Sequence, residues 1–316
     1  MSDGNNQILF RCDAGDHIGG GHLIRCLAFA NTLKNEGFSC SFLCNEQAWE
    51  FPMLTNSGFG RVEETELKNN YFKYIIVDHY HLNAEYERGL RPYCEQILVI
   101  DDLANRLHDC DILLDGSPSR KAEDYEDLVP PSCKLCLGID YALLRDEFFK
   151  NNWAPKPNST IRKIFITMGS IDGKEMLPRI LEYLNKHNEI LEIDILMTRK
   201  TRTLQKVRDL ATQSKHDVNL HVDIQNPVKI MLSCDLAITA GGMTCLELVT
   251  MGVPSWTIIV ADNQIENVDY LSKRGFLKNI ENADTMDDLN LGEWLKNPVI
   301  KALETGTHLK IIDVMV

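Results

Sequence analysis

His22 is the residue of this chain whose type and place point most directly to chemistry. It follows Gly19-Gly20-Gly21, and the apolar residues at 23, 24, 27, 28, 30 and 33 mark one face of a helix that Gly37 ends. Ahead of the glycines lie the apolar run Ile8-Leu9-Phe10 and a polar stretch from Asp13 to Ile18. Strand, glycine turn and helix form a platform for an anion, because bare N–H groups and the positive end of the helix dipole face it. A histidine there adds a group that exchanges protons near neutrality. The helix N-terminus disfavours its cation, which keeps it ready as a base. The alternative is a tight turn with a surface histidine.

A second set of such features lies further on. Met168-Gly169-Ser170-Ile171-Asp172-Gly173 follows an apolar run, and Ala240-Gly241-Gly242-Met243-Thr244 opens a helix over 245–251. The N–H groups of Gly241, Gly242 and Met243, with the Thr244 hydroxyl, can hold a diphosphate. Asn263 and Gln264 follow a strand over 255–260, and their amides can contact phosphate or sugar. Asp262 or Asn263 can equally cap the next helix. Asp13, Tyr80 and Asp172 stand at strand ends as sugar-side candidates, although aspartates there also cap turns. Neither glycine turn is a dinucleotide fingerprint or a P-loop. The third fingerprint glycine falls on Ile24, and no Gly-Lys-Ser/Thr follows.

The elements that must position these residues alternate regularly. Short apolar runs at 39–44, 74–77, 97–100, 111–114 and 135–138 end in polar residues, as buried parallel strands do. Residues 151–162, with two prolines, read as a linker. The alternation then restarts with strands at 163–167, 192–197, 219–222, 235–239 and 255–260, and helices at 175–186 and 263–274. The expectation is an α/β protein of two Rossmann-like domains, 1–153 and 154–316, with the site in the cleft between them.

Composition sets the outer limits. The 316 residues are 44% hydrophobic and 25% charged, ordinary globular values. A net charge of −13 argues against a nucleic-acid partner. No run has the length of a membrane span, and the first residues lack a basic-then-apolar signal, so a soluble cytoplasmic protein is expected. The ten cysteines lie mostly in apolar runs, where a reduced thiol packs as a small hydrophobe. Cys133-Lys-Leu-Cys136 has metal-ligand spacing but no matching second pair, and it lies in a strand-like run whose alternate side chains point to opposite faces. His79-Tyr80-His81, neighbouring histidines at a strand end, is a similarly weak metal signal. No metal or cofactor is called for.

A resemblance sharpens this reading. The residues that carry it are Phe10-Arg11, Asp13, Ile18-Gly19, Gly21-His22 and Arg25, then Val77-Asp78-His79-Tyr80. They continue with Asp101-Asp102, His108, the run from Cys110 to Leu114, Asp124-Tyr125 and Leu128-Val129-Pro130. Further matches are Tyr141-Ala142-Leu143, Arg145, Glu147-Phe148, Met168-Gly169, Asp172, Gly241-Gly242, Glu247 and Asn263-Gln264. With them the chain resembles the UDP-sugar hydrolases of the pseudaminic acid pathway, within the glycosyltransferase B architecture. The resemblance implies a UDP-linked diacetamido-trideoxy sugar as substrate, cleaved at the anomeric C–O bond with inversion. It implies His22 as general base, the diphosphate on the second glycine turn, Glu247 on the ribose hydroxyls and Asn263 in direct contact. Gly19, Gly21, Arg25, Tyr80 and Gly169 fall on its substrate-binding motifs. A monomer or weak homodimer fits it.

Two positions depart from the pattern: His17 replaces a neutral polar residue, and Ser170 replaces a glycine. The tail after about Asn279 has no counterpart. Two alternatives stay open, a glycosyltransferase of the same fold and a noncatalytic sugar-nucleotide-binding protein.

Overall fold

The computed structural model describes residues 6–15, 18–153, 161–224, 226–283 and 310–315. The chain divides into two compact units, Met1–Asp146 with Gly306–Val316, and Glu147–Thr305. The first contains β1 (Gln7–Cys12), α1 (Gly21–Asn35), β2 (Ser39–Leu43), α2 (Pro52–Thr55), β3 (Gly60–Arg61) and β4 (Phe72–Asp78). It continues with α3 (Ala84–Leu90), β5 (Cys94–Ile100), β6 (Ile112–Asp115) and β7 (Lys134–Leu137), and α4 (Asp146–Phe149) lies at the boundary. The second holds β8 (Lys163–Thr167), α5 (Met176–Leu184), β9 (Glu192–Met197), α6 (Leu204–Gln213), β10 (Asp217–Val222) and α7 (Val228–Ser233). It closes with β11 (Leu236–Ala240), α8 (Met243–Thr250), β12 (Ser255–Ile259), α9 (Ile265–Lys273) and β13 (Lys278–Asn282).

Each unit has one parallel sheet, ordered β3-β2-β1-β4-β5-β6-β7 in the first and β10-β9-β8-β11-β12-β13 in the second. Numbered within its unit, the second sheet repeats the 3-2-1-4-5-6 order of the first, the Rossmann order. The expected α/β class with two Rossmann-like domains is what the chain adopts. In each sheet the order reverses beside the first strand, between β1 and β4 and between β8 and β11. The loops there diverge and leave a crevice at the strand carboxyl ends. Both glycine turns with helices behind them, and the Met168–Gly173 turn, stand at these points.

The strands read as unbroken apolar runs because both sheet faces are covered. Ile8, Leu9 and Phe10 are buried, as are Ile75, Ile76 and Val77. Phe10 stacks on Phe42 of β2 at 5.0 Å and meets Phe29 of α1 edge-on at 5.9 Å. A fully buried aromatic ring contributes about 1.5–3 kcal/mol, so Phe29 alone ties α1 firmly to β1. That packing fixes where the N-terminus of α1, and His22 with it, must lie. In the second unit, Leu177, Ile180, Leu181 and Leu184 of α5 join Ile164, Ile166, Ile193 and Ile195 in one core.

Most expected elements recur with shifted ends. The strands expected at 74–77 and 97–100 begin earlier, at Phe72 and Cys94, where polar residues continue the pairing. The break between units falls at 146/147, ahead of the expected 153, and Trp153 already packs on the second unit through Nε1–H to the Cys234 carbonyl at 2.9 Å. The last described residues return to the first unit. Ile311 and Ile312 are buried, and the Tyr74 hydroxyl donates to the Met315 carbonyl at 3.1 Å. Among the described residues, no helix is long and apolar enough to cross a membrane.

Candidate active site

In the first unit, the end of β4 meets the start of α1. His22 is 5% exposed, and its Nδ1 lies 2.6 Å from Oδ1 of Asp78, the last residue of β4, which is fully buried. One turn along α1, Arg25 donates to both Asp78 oxygens at 2.6 Å and to Asp102 Oδ2 at 2.7 Å. Burial alone pushes the Asp78 carboxyl up. The charge and hydrogen bonds of Arg25, then the bond from His22, outweigh burial and hold it well below the usual carboxylate range.

An ionised Asp78 only accepts, so the proton between them belongs to His22 Nδ1, and in the neutral imidazole the lone pair is then on Nε2. Arg25 Nη2 stands 3.1 Å from Nδ1. A protonated Nδ1 cannot accept from it, and both nitrogens converge instead on Asp78 Oδ1. Nε2 has no hydrogen bond among the described residues. Tyr80 packs edge-on against the imidazole at 4.4 Å and donates its hydroxyl to Asp102 Oδ2 at 3.2 Å. Burial and the Asp102 charge push the Tyr80 phenol up, so it remains a neutral donor. One guanidinium thus faces two carboxylates, and a proton arriving on His22 balances the cluster.

Asp13 and Arg25, both expected on the substrate side, are tied into hydrogen bonds within the unit. Asp13 accepts from Arg11 Nη1 at 2.5 Å, from the Asn45 N–H at 2.8 Å and from His79 Nε2 at 3.1 Å. His79 is oriented because its Nδ1 accepts from the His81 N–H at 3.0 Å. Asp13 therefore clasps the carboxyl ends of β1, β2 and β4. Burial pushes its carboxyl up, but the His79 bond and the Arg11 guanidinium hold it well below its usual range. Arg25 is spent on the two aspartates.

The glycine turn itself is closed by paired bonds between Gly15 and Gly19, at 3.1 and 2.7 Å. Gly19 has φ +80, a left-handed conformation that favours glycine. The first bond of α1 runs from Ile24 N–H to the Gly20 carbonyl at 2.9 Å. The N–H groups of Gly21, His22 and Leu23 ahead of it have no helical acceptor. His17 lies outside the described residues.

The second unit presents backbone in place of charge. Cys245 N–H to the Gly242 carbonyl, at 3.0 Å, opens α8 and leaves the N–H groups of Gly242, Met243 and Thr244 without acceptors among the described residues. Gly241 corrects the expectation, because its N–H is taken by the Ile258 carbonyl at 3.2 Å. Its glycine is needed for space. A Cβ there would lie 2.5 Å from Val268 and 3.1 Å from Gln264 of the following segment. Gln264 Oε1 accepts from the Val260 N–H at 3.0 Å, which turns its amide nitrogen toward Gly242. Asn263 is exposed beside it, and Glu247 is half-buried on α8.

Asp172 is 2% exposed and accepts from the Met176 N–H at 2.8 Å, the Leu177 N–H at 3.2 Å and the Thr203 hydroxyl at 2.7 Å. It caps α5, the alternative its position allowed. Gly169 makes the adjoining turn at φ +76.

Asp78 and Asp102 are the members of the cluster that residue types alone did not single out. The available signal was an aspartate ending each of two apolar strands, with Arg25 one helical turn from His22. Cys133 lies 3.6 Å from Cys110, and Cys136 is buried. Among the described residues, no three His, Cys, Asp or Glu side chains are placed to hold a metal.

Residues 163–304 match the glycosyltransferase family 28 C-terminal domain. The fold is that of glycosyltransferase B enzymes. Acinetobacter baumannii MurG superposes with a TM-score of 0.63 at 17% identity, covering 92% of this chain and 91% of that one. The glycotransferase of kitacinnamycin gives 0.61 at 11% identity, with 98% and 97% covered. Among proteins of known name, the UDP-2,4-diacetamido-2,4,6-trideoxy-β-L-altropyranose hydrolase of Campylobacter jejuni is 29% identical over 274 residues, 85% of this chain and 97% of that protein. The resemblance drawn from the sequence thus extends along most of the chain.

Proposed function

We propose that this protein is an enzyme that hydrolyses a UDP-linked diacetamido-trideoxy sugar at its anomeric C–O bond, releasing UDP and the free sugar. The observation that carries the reading is the His22–Asp78 pair, with Nε2 left to accept a proton at the switch point of a Rossmann sheet. The likeness to the Campylobacter jejuni hydrolase supplies the substrate class.

His22 Nε2 takes a proton from water as the oxygen attacks the anomeric carbon, and the bond from that carbon to the diphosphate oxygen breaks. Attack opposite the leaving group inverts the anomer. Asp78 holds the tautomer and stabilises the imidazolium that forms. The second unit binds the leaving group. N–H groups of Gly242, Met243 and Thr244 and the Gln264 amide take the diphosphate charge, and Glu247 accepts from ribose hydroxyls. Helix ends and amides carry the charge of the leaving group in this scheme.

UDP release from such a sugar nucleotide without an added acceptor, with the first-formed anomer followed by NMR, tests the reading. Turnover that requires an acceptor makes the protein a transferase. Tight UDP binding with no turnover makes it a binding protein.

A further inference from the structure

The Asp101–Tyr125 pair, whose residues are among those that carry the resemblance, has no part in the chemistry above. In the fold it belongs to a buried polar cluster. Tyr125 is 1% exposed and sets its hydroxyl 2.9 Å from both Asp101 Oδ2 and Asp115 Oδ2. Asp115, the fully buried last residue of β6, accepts from the Ser117 N–H at 2.8 Å and from Arg120 Nε at 2.5 Å. Asp101 is held in turn by Arg106 at 2.6 Å and by the Ala104 N–H at 2.7 Å.

Arg120 leads out of this cluster toward His22. Its guanidinium lies 5.9 Å from the centre of the Tyr125 ring, and Nη2 donates to the main-chain carbonyl of Asp102 at 2.9 Å. Asp102 Oδ2 receives Arg25 Nη1 and the Tyr80 hydroxyl. Its other oxygen is buried and has no hydrogen bond among the described residues. Anchoring of the Asp102 main chain therefore matters to where its carboxylate sits. From Arg120 the path continues through Asp102, Arg25 and Asp78 to the imidazole.

We propose that Arg120 is a positioning residue for the hydrolysis, fastening the Asp102 main chain to the buried Asp115–Tyr125 pair so that Arg25 holds Asp78 against His22. The proposal rests on the reading of His22 as the base. A lysine cannot do the same work, since two nitrogens of one rigid plane serve two separate segments. The Arg120 side chain is also only 13% exposed, and its carboxylate partner is fully buried.

The test compares wild type with Arg120→Ala and Arg120→Lys. A misplacement transmitted to the base should lower kcat by about 10- to 100-fold in both variants, with KM and UDP affinity unchanged. Millimolar guanidinium should restore part of the kcat of Arg120→Ala. The downfield ring N–H proton of His22, identified by its loss in His22→Asn, should broaden or disappear in both variants.

If Arg120→Ala does not fold, Asp115→Asn/Arg120→Ala removes the uncompensated buried carboxylate and carries the same measurements. Wild-type kcat with an unchanged ring resonance in a folded variant would overturn the proposal. So would a parallel loss of kcat and UDP affinity without guanidinium rescue, since that marks general damage. A wild-type protein that releases no UDP refutes the hydrolase reading instead, and the ring resonance still tests the link from Arg120 to His22.

Discussion

The two units furnish the same point of the sheet, where the strand order reverses, with opposite materials. In the first unit it carries acidic and basic side chains, with Asp78, Asp102 and Arg25 around His22 and Asp13 with Arg11 and His79 beside them. In the second, the N–H groups of Gly242, Met243 and Thr244 at the start of α8 have no acceptor among the described residues. A proton-transfer group must be oriented and have its charge balanced, which takes side chains from several strands. An anion needs only dipoles and close approach, which glycine and a helix end provide. On the proposed reading, one topology serves two tasks.

The largest effect that would sharpen this contrast is on the base. His22→Asn should lower kcat by about 10²–10⁴-fold while leaving UDP affinity near normal. Asp78→Asn should approach the same loss, because an amide in place of the carboxylate no longer fixes the tautomer. Single-turnover kinetics beside UDP titration calorimetry would show it. Loss of UDP affinity in His22→Asn would erase the division between the units.

The glycines of the second unit should separate from each other. Gly242 has φ −93 and ψ −155, open to any residue, and a Cβ there would have nothing nearer than the Gln264 amide at 4.0 Å. Gly242→Val should therefore fold normally and lose UDP binding, because only the ligand meets the new side chain. Gly241→Ala should instead cost stability, about 1–3 kcal/mol, by driving its methyl into Val268. Thermal melts and UDP titrations on both variants make the comparison. Unchanged UDP affinity in a folded Gly242→Val protein would remove this turn from the site.

Glu247→Ala should weaken UDP binding by about 1–3 kcal/mol, the worth of hydrogen bonds to a charged acceptor. A deoxyribose analogue of UDP should narrow the gap between wild type and variant. A gap of the same size with both ligands would place Glu247 away from the ribose.

The smallest effect concerns acid. Asp78 and Asp13 have folded-state pKa values held below their ordinary ones. Their contribution to stability is complete above the unfolded carboxylate value of about 4 and is lost as pH falls through the folded values. The stability difference between wild type and Asp13→Asn should shrink as pH is lowered below about 4, as read by urea unfolding. A difference that grows in acid would mean that Asp13 is not held as an ionised clasp.

The sequence by itself determined the elements and the chemistry-bearing turns. Apolar runs of strand length, punctuated by glycine and followed by helical spacing, dictate local structure whatever lies around them. His22 at the head of α1 and Gly242 at the head of α8 were legible for that reason. Tertiary structure decided what those residues touch. Asp78 stands 56 positions from His22, and only the placing of β4 beside β1 brings its carboxylate under the imidazole. Strand neighbours likewise turned Asp13 into a clasp, and β12 beside β11 gave the Gly241 N–H to Ile258, while the fold returned the last described residues to Tyr74 of the first sheet. An aspartate at a strand end looks the same in sequence whether it caps a helix, as Asp172 does, or holds an imidazole, as Asp78 does. Which strand lies next to it decides, and strand order is a property of the whole chain.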